Sequence, residues 1–159
     1  MRARCRQHGV TTVEFAIIGA IVMIVLFGVI EVGRAVFSLH TLGETTRRAA
    51  RIATVCPVND PAIRDVAFFN APGDGSGNGI LSDLAPENIV IEYLDRSGDV
   101  IVDPVANFTQ IYFIRTRIEG YQHRMLIPFL DFIFTTPDFS TTLRRESLGV
   151  PRDGSIQAC

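Results

Sequence analysis

The chain of 159 residues lacks lysine, and all 15 of its basic residues are arginine. Without lysine it can hold neither a P-loop lysine nor a Schiff-base or Ser-Lys catalytic site. Tryptophan is also absent and the formal net charge is -2, unlike a nucleic-acid module with a basic, aromatic-rich face. The composition therefore argues against nucleotide, imine and nucleic-acid chemistry.

Groups of metal-binding or catalytic residues are also missing. Cysteine is scarce, with no CxxC pair among Cys5, Cys56 and Cys159, which argues against a zinc or thioredoxin-type site. The histidines lie far apart and lack metal-ligand spacing: His8, His40 and His123. A triad of His123, Asp131 and a serine has no GxSxG motif beside it. We predict no enzyme activity, no cofactor, no metal and no small-molecule or nucleic-acid partner.

One long apolar run dominates the sequence. Residues 10–30 contain a single charge, and Phe15 to Ile30 is uninterrupted. As a helix, 21 residues extend about 31 Å, close to the thickness of a bilayer's hydrocarbon core. A buried core helix is the alternative, but the run has no polar face. A signal peptide would need a shorter run with a small-residue cleavage site. The run therefore predicts a membrane segment.

Charge on either side of the run predicts its orientation. Arg2, Arg4 and Arg6 precede it without an acidic residue, whereas residues 31–44 carry two acids and one arginine. By the positive-inside rule the N-terminus stays in the cytoplasm and the residues after about 31 are exported.

The helical pattern continues beyond the membrane segment. Residues 33–55 contain no proline, and apolar or small residues recur at three- and four-residue steps: Ala35, Leu39, Leu42, Thr46, Ala49 and Ile52/Ala53. The pattern ends at Cys56-Pro57, because a residue before proline is disfavoured in helical geometry. We predict one helix from about Thr12 to Val55, roughly 66 Å long.

The remaining chain predicts a small mixed domain. The expected elements are a short helix within 57–69, a flexible loop at 71–79, a hairpin of 89–94 and 100–102, a strand at 110–119, an apolar segment at 125–134 and a last strand at 141–147. This order indicates an α+β fold with antiparallel strands on the long helix. We predict three parts: a basic leader at 1–9, the helix at 10–56 and an α+β domain at 57–159.

The single charge in the membrane segment, Glu14, follows Gly9 by five residues. One interpretation is that Glu14 lies near the cytoplasmic face and is tolerated there. The other is that the arginine-rich leader, Gly9 and Glu14-Phe15 resemble a type IV prepilin processing site, with cleavage between Gly9 and Val10. The new α-amino group of Val10 would then pair with Glu14 of a neighbouring helix during assembly.

Residues 6–56 resemble the TadE-like proteins, minor pseudopilins of tight-adherence (Flp-type) pilus systems. The resemblance is carried by Gly9, Glu14-Phe15, the segment FGVIEVGR at 27–34 and the segment TRRAARIA at 46–53. It implies a pilin-like fold, the bacterial inner membrane, and a single pass with a periplasmic C-terminal domain. Whether the chain is incorporated in a pilus stays open. The resemblance also implies three partners: a prepilin peptidase, other pilins or pseudopilins, and pilus-assembly platform proteins. The resemblance does not decide between TadE and its sibling TadF.

The remaining cysteines fit this topology. Cleavage after Gly9 would discard Cys5 and leave Cys56 and Cys159 on the oxidising side of the membrane. We favour a bridge between them; free thiols, or Cys159 paired with another chain, are the alternatives.

Three further hypotheses concern function. Asp74, Ser76, Asn78 and Gly79 match part of a calcium loop, but Ala85 stands where the bidentate glutamate belongs, so a mobile turn is favoured. An uncleaved, signal-anchored envelope protein that binds a periplasmic partner is one rival to the pseudopilin. A membrane-stalked periplasmic hydrolase is the other.

Overall fold

The first helix, α1, extends from His8 to Val55, about 72 Å at 1.5 Å per residue. The computed structural model describes residues 8–77, 79–81, 83–126, 133–150 and 154–159, and for residues 8–10 the backbone alone. The predicted end of α1 at Val55 is confirmed, and its beginning lies four residues before the predicted Thr12. The rest of the basic leader lies outside the described residues.

The outer half of α1 buries one face against the domain. The buried residues recur at three- and four-residue steps: Glu31, Ser38, Thr41, Leu42, Thr45, Thr46, Ala49, Ala50, Ala53 and Thr54. The predicted stripe was right for Leu42, Thr46, Ala49 and Ala53 and wrong for Leu39, which is exposed. Threonine and alanine dominate this face, so other elements can approach the helix closely.

The domain consists of two antiparallel sheets and a short helix. The three-stranded sheet has the order β1-β2-β5, and the second sheet is the hairpin β3–β4. The elements are α2 (Ala62–Ala67), β1 (Ile89–Leu94), β2 (Phe113–Ile118), β3 (Gln122–Arg124), β4 (Ile133–Thr135) and β5 (Phe139–Arg144), with 3₁₀ turns at Pro86–Asn88 and Phe108–Gln110. The predicted α+β class, a long helix followed by a small antiparallel domain, is confirmed.

The central strand β2 shows why the sheet lies on α1. Its residues alternate between buried and half-buried, with Ile114, Thr116 and Ile118 buried. Arg115 and Arg117 alternate with these residues, and both pair with Glu92 of β1, at 2.7 and 2.8 Å. This alternation was predicted, although the strand is shorter than the expected 110–119.

Two apolar clusters follow one another along α1. The first lies around Leu42 and Ala49, with Phe68, Ile89, Ile118 and Tyr121 among its members. The second lies around Ala53 and Cys56, with Ile63, Tyr93, Ile111, Ile114 and Leu148 among its members. The core is therefore elongated, parallel to the outer half of α1.

The other strand predictions differ in detail from the structure. The turn at 95–99 is confirmed, with the Asp95 carboxylate accepting the N–H groups of Ser97 and Asp99, but Val100 forms only a single bridge with Leu94. The last strand is β5, which starts two residues before the predicted Thr141. The apolar segment 125–134 contributes to β4, and its residues 127–132 lie outside the described residues.

Candidate functional site

The inner half of α1 is exposed on all sides. None of the residues from Thr11 to Ile30 is buried, and the helix is long and apolar enough to cross a membrane. A signal sequence or a core helix can meet the same criterion, but a core helix would be covered by the domain. The domain covers only the outer half of α1. The inner half is therefore a surface that needs lipid or other helices.

The residues predicted for processing and assembly lie at the start of α1. Gly9 and Val10 are in its first turn, where the structure describes the backbone alone. Glu14 and Phe15 follow one turn later and are exposed. Residues 10 and 14 share a helix face, since their separation of four is about one turn.

The C-terminal end of α1 is capped by a segment from the end of the chain. The last carbonyls of a helix have no partner within it and must be satisfied elsewhere. The carbonyl of Thr54 accepts N–H groups from Glu146 at 3.2 Å and Leu148 at 3.1 Å, and that of Val55 accepts the N–H of Gly149 at 2.6 Å. The helix end is thereby joined to the segment that follows β5.

Cys56 and Cys159 meet just beyond this cap. Their sulfur atoms lie at disulfide distance and their Cα atoms are 5.6 Å apart, within the range of ordinary bridges. Cys56 is fully buried, whereas Cys159 is exposed and its N–H donates to Oδ2 of Asp60 at 3.3 Å. Cys5 lies outside the described residues. The folded chain thus brings together Cys56 and Cys159, the two cysteines for which a bridge was predicted.

The same end of the domain holds a buried tyrosine. The hydroxyl of Tyr93 accepts a hydrogen bond from the N–H of Asn59 at 3.0 Å. Burial raises the pKa of Tyr93, because the ionised form is poorly solvated there. The tyrosine is therefore neutral at physiological pH and acts as a structural link to the segment after α1.

Hydroxyl groups join the outer half of α1 to the sheet. The Thr116 hydroxyl of β2 donates to the Thr46 carbonyl of α1 at 2.7 Å. The Thr46 hydroxyl lies 3.0 Å from that of Thr141 on β5. One turn of α1 is thereby bonded to two strands that are far apart in sequence, which sets the height of the sheet along the helix.

A buried cluster of ionisable groups marks the inner end of the domain. Glu31 is only 4% exposed, and both of its carboxylate oxygens lie 3.0 Å from Nη1 of Arg34. Nε2 of the buried His123, on β3, is 3.5 Å from Oε1 of Glu31. The N–H of Leu126 donates to Oε2 at 3.3 Å. Glu31 thereby fastens the β3–β4 hairpin to α1.

Sequence reasoning missed this role of Glu31. It treated Glu31 only as one of the acids that follow the apolar run. The three-residue spacing from Arg34 is a usable signal, since such pairs are neighbours on a helix. The contacts with His123 and Leu126 have no local signal, because they join residues more than 90 positions apart.

The glycine-rich loop that follows α2 is organised by a carboxylate. Asp65 accepts the N–H groups of Gly73 at 3.0 Å and Gly75 at 3.2 Å. Asn78, one of the residues of the partial calcium pattern, lies outside the described residues. Among the residues that the structure does describe, no group of three or more His, Cys, Asp or Glu side chains could hold a metal.

A triad around His123 is not supported by its position. The histidine is buried beside Glu31, and Asp131 lies outside the described residues. The geometry of His123 is that of a packed residue at the contact between α1 and the hairpin.

An exposed apolar helix with a domain on its outer half fits a single-pass membrane protein. The profile of the family described as TadE-like protein matches residues 9–51, which confirms the resemblance predicted from the sequence. The match covers the apolar half of α1 and most of its outer half, about a quarter of the chain. It indicates a pilus-associated protein of a structural family. No curated protein and no solved structure matches the chain.

Proposed function

We propose that this chain is a minor pseudopilin of a tight-adherence (Flp-type) pilus system. The observation that carries the proposal is the family match over residues 9–51, which coincides with a helix that is exposed on its inner half. In this proposal α1 spans the bacterial inner membrane once, the arginine-rich N-terminus stays in the cytoplasm, and the domain is periplasmic. The chain would prime or support the pilus rather than form its bulk.

Processing by a prepilin peptidase is the second part of the proposal. Cleavage between Gly9 and Val10 would remove a leader of residues 1–9, leaving the helix at 10–56 and the domain at 57–159. The positive α-amino group of Val10 would then be available to the Glu14 carboxylate of an adjacent pilin helix. Such a contact in a low-dielectric membrane is stronger than in water. It would also restrict assembly to processed chains.

Lateral packing of α1 beside other pilin helices is the third part. Gly19, Gly28 and Gly33 have open space where a Cβ would lie. Small residues allow membrane helices to approach closely. The three glycines therefore support α1 as the surface that contacts pilins, pseudopilins and the assembly platform. The domain packs on the outer half of α1 and leaves the inner half uncovered.

The proposal is tested by the intact mass of the protein purified from its native membrane, with and without the prepilin peptidase. We expect loss of residues 1–9 only when the peptidase is present. Gly9→Val should leave the chain at full length in both strains. Gly19→Val is the matched control, since its side chain enters open space on the same helix, and it should be processed normally.

A full-length wild-type chain in both strains would contradict the processing step. The uncleaved envelope protein with a periplasmic partner would then explain the chain better. A mature chain that begins at a residue other than Val10 would contradict the assignment of Gly9.

A further inference from the structure

The exposed apolar surface of α1 does not end where the apolar run ends in the sequence. Four apolar side chains beyond Ile30 remain exposed: Val32, Val36, Phe37 and Leu39. They all precede His40, which is the first exposed titratable residue after Ile30. A surface in contact with water would carry polar residues here. The region of α1 that needs an apolar environment therefore extends about two turns past Glu31.

The charges within this region are paired with each other. Glu31 and Arg34 are the only acidic and basic residues between Phe15 and Leu39, all of which the structure describes. Glu31 is buried, and both of its carboxylate oxygens accept a hydrogen bond from Nη1 of Arg34. An exposed carboxylate would have to lie in water and would therefore indicate where the membrane ends. The Glu31 carboxylate is buried and paired, so it gives no such indication.

The β3–β4 hairpin extends the apolar surface sideways at this height. Leu126, Ile133 and Phe134 are 66%, 57% and 51% exposed. The Leu126 N–H is bonded to Glu31, and Phe134 lines a small cavity with Ala35 and Leu39 of α1. Leu126 and Phe134 therefore lie beside residues 31–39 of the helix, whereas Ile133 lies on the opposite face of β4, in a cavity lined by Gln122 and Arg124.

The length of α1 shows where residues 31–39 would lie relative to a bilayer. If Glu14 lies at the inner edge of the hydrocarbon core, residues 15–39 extend about 37 Å. The hydrocarbon core is about 30 Å thick and the bilayer with its headgroups about 40–45 Å. Residues 31–39 then fall at the outer edge of the core and in the outer headgroup layer.

We propose that the β3–β4 hairpin is a second membrane contact, with Leu126 and Phe134 lying in the outer headgroup and acyl boundary. The occupant is lipid because the patch continues the exposed apolar surface of α1 that, in the proposed placement, lies in the bilayer. The Glu31 cluster holds the hairpin at the required height. This inference rests on the proposed placement of α1 across the membrane.

The lack of native tryptophan allows a direct test. The full chain with Phe134→Trp is reconstituted in phosphatidylcholine vesicles, with or without bromine near the carbonyl end of the acyl chains. We expect a blue-shifted emission and at least twofold quenching by the brominated lipid. Leu126→Trp is a second probe in case Phe134→Trp disturbs the packing of β4. The matched control is Val102→Trp, since Val102 is 98% exposed and follows Ile101, which packs against the second apolar cluster around Ala53 and Cys56. It should be neither blue-shifted nor quenched.

Val25→Trp separates failure of this inference from failure of the membrane placement. It should be quenched by lipids brominated deep in the acyl chains. Quenching of this probe without quenching of Phe134→Trp and Leu126→Trp would overturn the hairpin contact while α1 still spans the bilayer. Blue-shifted but unquenched hairpin probes would show that protein, such as a second copy, covers the patch. Failure of Val25→Trp would overturn the membrane placement itself.

Discussion

At the residue scale, the contact between α1 and the sheet depends on hydroxyl groups as well as apolar side chains. Thr116 is fully buried and donates to the Thr46 carbonyl. That carbonyl lies within α1 and is also available to the helix's own backbone bond. Loss of the hydroxyl would therefore remove one favourable contact without leaving the carbonyl unsatisfied.

Thr116→Val should lower the free energy of unfolding of the domain by about 1 kcal/mol, because one buried hydrogen bond is lost while the shape is nearly kept. The measurement is denaturant unfolding in detergent, followed by the near-ultraviolet circular dichroism of the tyrosines. Thr142→Val, at an exposed position of β5, is the control and should change the free energy by less than about 0.5 kcal/mol. Equal effects of the two variants would show that the Thr116 bond does not stabilise the contact.

At the element scale, α1 has two halves with different surroundings. The inner half is apolar on every side, while the outer half buries a stripe of threonine, alanine and leucine under the sheet. Its end is closed by the segment 146–149, which supplies N–H groups to the carbonyls of Thr54 and Val55. The segment 146–149 and the end of the helix therefore behave as one structural unit.

The Cys56–Cys159 pair should strengthen this unit. A bridge across 103 positions stabilises by up to about 4.7 kcal/mol in the chain-entropy account, by restricting the unfolded chain. We expect Cys159→Ser to lower the free energy of unfolding by about 2–4 kcal/mol, measured in the same way without reductant. Reduction of the wild-type protein should have a similar effect.

The control for this prediction is Cys5→Ser, which changes a residue of the proposed leader and should leave the stability of the mature chain unchanged. Disulfide-linked dimers of the wild-type protein on non-reducing gels, lost in Cys159→Ser, would instead indicate that Cys159 pairs with another chain.

At the scale of the whole molecule, the long helix α1 is exposed on all sides along its inner half and buries one face of its outer half under the domain. In the proposed assembly the inner half is the surface that meets neighbouring helices, and Glu14 is the only charged residue from Thr11 to Ile30. An unpaired carboxylate costs about 2.5–3.5 kcal/mol at the bilayer centre on insertion scales, and less near an edge. A positive group from a neighbouring helix would offset that cost.

Glu14→Gln should leave processing intact and lower the amount of the chain that co-purifies with other pilins about tenfold, which corresponds to about 1.4 kcal/mol. Glu44→Gln is the matched control, because Glu44 is on the same helix, outside the apolar half, and pairs only with Arg48 at 3.2 Å among the contacts described. Co-purification of Glu14→Gln at the wild-type level would contradict the proposed pairing with the Val10 amino group.

Much of the architecture was predictable because it depends on neighbours in sequence. The apolar run, the proline after Cys56 and the alternation along β2 act locally, so α1, its end and the buried face of β2 could be predicted. The confirmed resemblance to TadE-like proteins also lies in this continuous segment. Leu39 was misplaced because periodicity indicates the spacing of a helix face but not the exact angle at which a domain will pack on it.

The sequence by itself determined a long helix, apolar at one end and amphipathic at the other, followed by antiparallel strands. Only the tertiary structure decided that Glu31 is buried against His123 and Leu126, that β5 pairs with β2, and that the β3–β4 hairpin lies beside the point where the apolar run ends. These features join residues roughly 20 to 95 positions apart. Their positions depend on how the whole chain excludes water from one core, which no local pattern encodes.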